Sequence, residues 1–205
     1  IELAAKYADA VFAIYPRATD AAAYYAEVKN KVAELGRDPD HCAILFGAQP
    51  VIGSSEAEAL EKQEEHNSLV PLEGGMAILS GHLNFDLSKL SPDDYMMSRD
   101  EPELQRSRRV YQKENGESMT VSEVAQRHGE SVGLPQFVGT PQSVADQLEA
   151  FFDKAGGDGF MLTPIYCPGA IEEFVDLIVP ELQRRGRFRT AYTGKTQRDH
   201  FRQTD

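Results

Sequence analysis

From Phe137 to Gly186 the chain has little choice of fold. The run FVGTPQSVADQLEAFFDKAGGDGFMLTPIYCPGAIEEFVDLIVPELQRRG reads as strand, helix, strand, helix with few spare residues. Thr140 suits an N-cap and Pro141 the first helical position, where a missing N–H costs nothing. Val144, Leu148, Phe151 and Phe152 then recur on one helical face, and Gly156–Gly157 stops the helix. Gly159–Pro164 has the length and apolarity of a strand. Ile171, Phe174, Val175, Ile178, Val179 and Leu182 form a second helical stripe, which Pro180 kinks or restarts before Gly186 closes it. Two strands joined by a helix on this spacing are expected to pair in parallel, as a βαβα unit of an α/β fold.

The other end of the chain repeats the pattern. Glu2–Tyr7 reads as the last turns of a helix and Ala10–Ile14 as a buried strand. Asp20 or Thr19 is expected to cap a helix carrying Tyr25, Val28, Val32 and Leu35, which Gly36 ends. Cys42–Gly53 is nearly all apolar, as in a sheet covered on both faces, and Pro50 should end or bend its ladder. Ser55 and Glu58 form a capping box for a helix over Glu56–Asn67. Between the two repeats, Ser68–Gly133 is longer than any crossover requires and is expected to be a lid or binding loop, or disordered. Within it Gly74–Leu90 mixes glycines with apolar residues, Ser91–Met119 is polar and loop-like, and Thr120 with Glu123 opens a short helix. The basic tail (Arg187, Arg189, Lys195, Arg198, Arg202) is expected to lie on the surface as a solvated strap. Residues 1–205 thus read as one partial domain, with an insertion at about 68–133 and a tail over 187–205.

Several functions are disfavoured. A net charge of −12 argues against nucleic acid or an anionic membrane as the main partner. No apolar run is long enough to cross a bilayer, and no stretch reads as a signal peptide. Cys42 and Cys167 lie far apart, which suits reduced thiols in a cytoplasmic protein. His41, His66 and His128 lack metal-ligand spacing, so no metal is assigned. Gly194-Lys195-Thr196 lacks the upstream glycine of a phosphate loop, and no serine sits in a nucleophile elbow.

Four strand–helix units suit either an open sheet or half of an eightfold barrel. The dinucleotide fingerprint of an open doubly wound sheet is absent after the first strand. VGTPQSVADQLEAFF, GGDGFMLTP and PGAIEEFVDLIVPELQRRG closely resemble the C-terminal end of luciferase-like flavin monooxygenases. More narrowly, KYADAVFAIYP, AELGRDPD, LSGHLNFDLS and RGRFRTAYTGKT resemble the nitrilotriacetate, dibenzothiophene-sulfone and pristinamycin-synthase monooxygenase branch. The resemblance implies the C-terminal half of a (β/α)8 TIM barrel, strands five to eight, with a long insertion. It also implies a two-component enzyme that takes reduced FMN from a separate flavin reductase and uses dioxygen to oxidise a small organic substrate. In that family the Gly-Ser-Ser segment gripping the FMN phosphate precedes the helix that opens here with Glu2, so this chain alone is expected to be inactive. The alternatives are a non-catalytic half-barrel that self-associates, or another TIM-barrel enzyme. Open sheet edges make a homo-oligomer the expectation.

Five positions and one histidine are candidates for the site. Phe12 and Ile14 alternate on the first strand near its C-terminal end, where barrel sites are built; they are pocket-lining by resemblance and barrel filling otherwise. Val138 would face the pocket mouth, unless it is a core valine. Gly139 and Thr140 could offer N–H groups to an anion at a helix N-terminus, unless Thr140 is a plain cap. His82 sits in the glycine-flanked insertion, read as loop. It could hydrogen-bond the oxygenated flavin or a polar substrate, or be an ordinary loop histidine.

Overall fold

The computed structural model describes residues 1–96, 101–105, 113 and 116–201. It divides into two compact units, Ile1–Lys62 with Leu134–Asp205, and Gln63–Gly133. The chain order of the first unit begins α1 (Glu2–Tyr7), β1 (Ala10–Ala13), α2 (Ala18–Glu34), β2 (Ala43–Ile52) and α3 (Glu56–Ser68), whose last residues belong to the second unit. The second unit continues with α4 (Leu72–Leu83), α5 (Pro102–Gln105) and α6 (Val121–Ser131). The chain returns through β3 (Gln136–Gly139), α7 (Pro141–Ala155), β4 (Gly159–Leu162), α8 (Gly169–Glu173), a π turn over Phe174–Ile178, α9 (Val179–Arg184) and α10 (Gln197–Phe201).

All strand pairs are parallel, and β2 is the hub of the sheet. It pairs β1 over Ala43–Phe46, β4 over Leu45–Ala48 and β3 over Gln49–Ile52. Because β1 and β4 both register against Leu45 and Phe46, they lie on opposite edges of β2. This corrects the expectation that the two strands flanking α7 pair with each other: β3 and β4 each pair with β2. Pro50 does not end β2 either. Gln49 and Gly53 donate to Pro135 and Gly139 on the β3 side. Successive peptides alternate edges, so the N–H that Pro50 lacks falls on the other side, where the β4 pairing has stopped at Ala48.

One face of the sheet carries the core. Ile44, Phe46, Ala48 and Ile52 of β2 pack with Val28 and Val32 of α2, Val144, Leu148 and Phe151 of α7, and Phe174 and Ile178. Phe46 and Phe137 each meet Phe151 edge-on, with centroids 6.0 and 5.8 Å apart, a favoured aromatic geometry. The helix caps divide into met and unmet expectations. Thr140 caps α7, with Pro141 at its first position. The Thr120–Glu123 box opens α6 as read. Ahead of α3, Ser55 Oγ accepts from Glu58 N–H at 3.2 Å, while the Glu58 carboxylate returns to Ser54 rather than Ser55. Neither Thr19 nor Asp20 caps α2: Arg17 holds the N-cap position without a side-chain cap, and Asp20 pairs with Arg17 at 2.7 Å.

The tail is exposed over most of its length and is held along the surface by ion pairs. Arg187 bonds Glu149 and Asp153 of α7 at 2.8 and 2.7 Å, and Arg198 reaches Asp9 at 2.6 Å. Arg202 lies outside the described residues.

The unit Gln63–Gly133 is not a plain loop, since α4, α5 and α6 lie in it. It has its own core of Leu79, Leu83, Leu87, Leu90, Met96, Leu104, Met119, Val121, Val124 and Ala125. Residues 97–100, 106–112, 114 and 115 of the polar stretch lie outside the described residues.

Candidate functional site

Strand alternation gives the sheet of the first unit a second face, opposite the core. Val11 and Ala13 belong to the core side, so Phe12 points the other way, and it is 45% exposed. On β2 the same alternation turns Leu45, Gly47, Gln49 and Val51 to the Phe12 side. A Cβ on Gly47 would sit 3.0 Å from the Phe12 ring and 2.1 Å from Leu134 Cδ2. Glycine there makes room for both side chains, which therefore share the space above it. Beyond them Gln136 Nε2 donates to Gln49 Oε1 at 2.7 Å, and Gln49 is almost fully buried. Val138 shares Gln136's face, because the buried Phe137 between them turns to the core. On β4, Phe160 and Leu162 pack on the core, leaving Met161 on the second face at 43% exposure.

Phe12 and Val138 are thus brought to one face of β2, on different strands. Ile14 lies one residue beyond β1 and is half-buried, so strand alternation assigns it no face.

Gly139 and Thr140 meet a group that the sequence did not signal. Glu56 Oε1 accepts from Thr140 N–H at 3.1 Å and from the Thr140 hydroxyl at 3.2 Å. Gly139 adopts φ +151°, and a Cβ on it would lie 2.7 Å from Glu56 Oε2. The chain's own carboxylate therefore takes the place that an anion would need. Gly139 and Thr140 are thus not placed to hold a phosphate.

His82 is on a helix, which corrects the loop reading. It is the penultimate residue of α4, exposed, with Nδ1 2.8 Å from Nε2 of His128 on α6. The rings are 5.0 Å apart and nearly perpendicular at 81°. His128 is 6% exposed. Burial, and after it the neighbouring His82, push its pKa down to about 4. The sequence held a signal for this partner: Val121, Val124, Ala125 and His128 form one buried stripe at helical spacing. His82 and His128 belong to the second unit; Phe12, Val138, Gly139 and Thr140 belong to the first. Among the described residues no group of three or more His, Cys, Asp or Glu is placed to hold a metal ion, and no helix is long and apolar enough to cross a membrane.

Comparison with known proteins adds a lineage to this geometry. The luciferase-like monooxygenase family model matches residues 1–189. The chain is 38% identical over 204 residues to the dibenzothiophene-sulfone monooxygenase of Rhodococcus erythropolis, covering 97% of this chain and 45% of that protein. It is 37% identical over 211 residues to nitrilotriacetate monooxygenase component A of Aminobacter aminovorans, covering 98% and 45%. The crystal structure of a long-chain alkane monooxygenase superposes with a TM-score of 0.80 at 31% identity, covering 98% of this chain and 42% of that one. The chain spans about half the length of the curated relatives it matches.

Proposed function

The chain belongs to the luciferase-like monooxygenase family, and from that membership we propose that it supplies strands five to eight of a two-component, FMN-dependent monooxygenase. The whole barrel would receive reduced FMN from a separate reductase in the cytoplasm. With dioxygen it would oxidise a small organic substrate of the kind its relatives are named for, a sulfone or an aminopolycarboxylate.

The observation that carries this reading is the second face of the sheet, where Phe12, Gly47, Leu134 and Val138 make an apolar surface beside the Gln49–Gln136 pair. In this reading Phe12 and Val138 hold the flavin ring or the substrate and keep water from it. Bound there, the reduced flavin supplies the activation of dioxygen. Gly47 keeps the floor low enough for Phe12 to lie over it. Gln49 and Gln136 form the polar limit of the surface. His82, in the other unit, stands apart from this surface as a separate candidate for holding or moving a proton, through Nε2, since Nδ1 is engaged. The phosphate is assigned to residues outside this chain, because Glu56 answers Thr140.

The test is made on the protein at its relatives' full length, fed reduced FMN by a reductase under ¹⁸O₂ with sulfone and aminopolycarboxylate substrates. One ¹⁸O atom in the product is expected. Phe12→Ala should divert oxygen consumption from product to hydrogen peroxide. Flavin oxidation with no labelled product from any substrate, or a product-to-peroxide ratio indifferent to Phe12→Ala, would sink the proposal.

A further inference from the structure

The face that carries Phe12 is uncharged as well as apolar. From Phe12 on β1 through Leu45 and Val51 on β2 to Val138 on β3 and Met161 on β4, every side chain that strand alternation turns to it lacks a charge. Its polar groups are the carboxamides of Gln49 and Gln136. At the carboxyl ends of β2 and β3, donors that an anion could use are already engaged by the chain itself. Lys62 Nζ reaches the Ile52 carbonyl at 2.8 Å and pairs with Glu173 at 3.1 Å. Ser54 N–H goes to Glu58 at 2.8 Å and Thr140 N–H to Glu56 at 3.1 Å. All these residues belong to the unit Ile1–Lys62 with Leu134–Asp205. A carboxylate moved from water onto this face would give up its hydration and meet no cation there, which strongly disfavours it.

Gln49 is 4% exposed, and among the described residues its side chain has one partner, Gln136, at 2.7 Å. A carboxamide carries two N–H groups, and at most one of them goes to Gln136, whichever amide donates. At least one Gln49 N–H is therefore left beside an apolar surface, where a donor without a partner is costly. The carboxamide is not fully enclosed, so an occupant of the face can reach it. We propose that the substrate of this face is an uncharged, largely apolar molecule bearing an oxygen acceptor of the sulfonyl or carbonyl kind, and that Gln49 selects it by donating to that oxygen. Gln136 holds the Gln49 carboxamide in place. The apolar body of the substrate lies against Phe12 and Val138, and a polycarboxylate is turned away by the lack of a cation. This inference rests on the functional reading above and narrows the two substrate classes named there to one.

The experiment measures binding by equilibrium dialysis to the protein at its relatives' full length, loaded with FMN. The probes are dibenzothiophene sulfone, its parent thioether dibenzothiophene, and nitrilotriacetate. The native protein should bind the sulfone and leave nitrilotriacetate in solution. Gln49→Leu, close in size but without a donor, should weaken the sulfone about tenfold and leave the thioether and FMN as tightly bound as before. Gln136→Leu should act in the same sense by a smaller factor. Nitrilotriacetate bound as tightly as the sulfone by the native protein overturns the proposal even if neither variant folds, and so does a native protein that binds none of the three. A folded Gln49→Leu that weakens sulfone and thioether alike also overturns it, since that is the mark of a merely structural role. So does one that loses FMN with its sulfone affinity unmoved, which would give the amide to the flavin. The functional reading fails differently, by flavin oxidation without labelled product even where the sulfone binds as expected here.

Discussion

Asp158 stands between α7 and β4 and answers three groups at once. Its Oδ2 accepts from Ile44 N–H at 2.8 Å and from Lys29 Nζ at 2.9 Å, and its Oδ1 accepts from Tyr25 Oη at 3.0 Å. Lys29 also donates to the carbonyls of Pro39 and Cys42, both at 2.9 Å. Its side chain is only 11% exposed, so the ammonium depends on these partners. Burial and then Asp158 hold the Tyr25 phenol well above the usual tyrosine range. Asp158→Ala should therefore leave a nearly buried cation short of its one carboxylate and an Ile44 N–H short of its acceptor. The expected loss is about 2–3 kcal/mol, below the upper figure for fully buried pairs because Asp158 is partly solvated. Urea denaturation checks it, and a midpoint equal to the native protein's would refute the account. Asp158 passes unremarked in the sequence because its partners are up to 133 positions away.

At the scale of elements, α7 and α9 are joined by charge more than by shape. Arg185 bonds Asp146 at 2.6 Å and also bonds Glu149 and Glu181; Arg187 takes the other oxygen of Glu149 at 2.8 Å. Hydrogen bonds from Arg184 and Arg185 hold Glu181 down to about 2, and those from Arg185 and Arg187 lower Glu149. In an unfolded chain a glutamate titrates at about 4.3. A lowered folded value means stability that is present above the unfolded pKa and lost as pH falls through the folded one. The urea midpoint should therefore drop between about pH 5 and 2, and Glu149→Gln should flatten that slope. An equal slope in the variant would refute the link. What was legible at this scale was local. The caps at Thr120 and Thr140 are written within four residues, and the apolar stripe of α7 recurs at steps of three and four. The helix bearing His82 was hidden by Gly74, Gly75 and Gly81, because glycine lowers helix propensity. Gly75 is there for the close approach of α6, a contact fifty positions distant. The pairing of β3 was hidden for a related reason. A helix between two parallel strands requires one sheet, not adjacency, and β2 is long enough to serve two partners on successive stretches.

The molecule as a whole carries half of a closed fold. The outer edges of β1 and β4 have no strand partner among the described residues, and the second face leaves Phe12 and Met161 nearly half exposed. Unpaired edges and bared apolar side chains invite association. Residues 1–205 expressed alone should therefore sediment as dimers or larger species and bind an apolar dye. A monodisperse monomer with cooperative unfolding would count against the half-barrel account. The hub position of β2 also has a consequence for the order of synthesis. A ribosome finishes β2 early, when β1 alone is available to pair with it; Leu45 must wait for Gly159, and Gln49 for Gln136. The segment made during that wait, Gln63–Gly133, carries its own core and closes through contacts within itself. It can fold while still tethered, whereas β2 stays one-edged until nearly the last strand emerges. The slow step in making this protein is then the capture of a late strand by an early one, and a chaperone that shields apolar strands would act on β2 first.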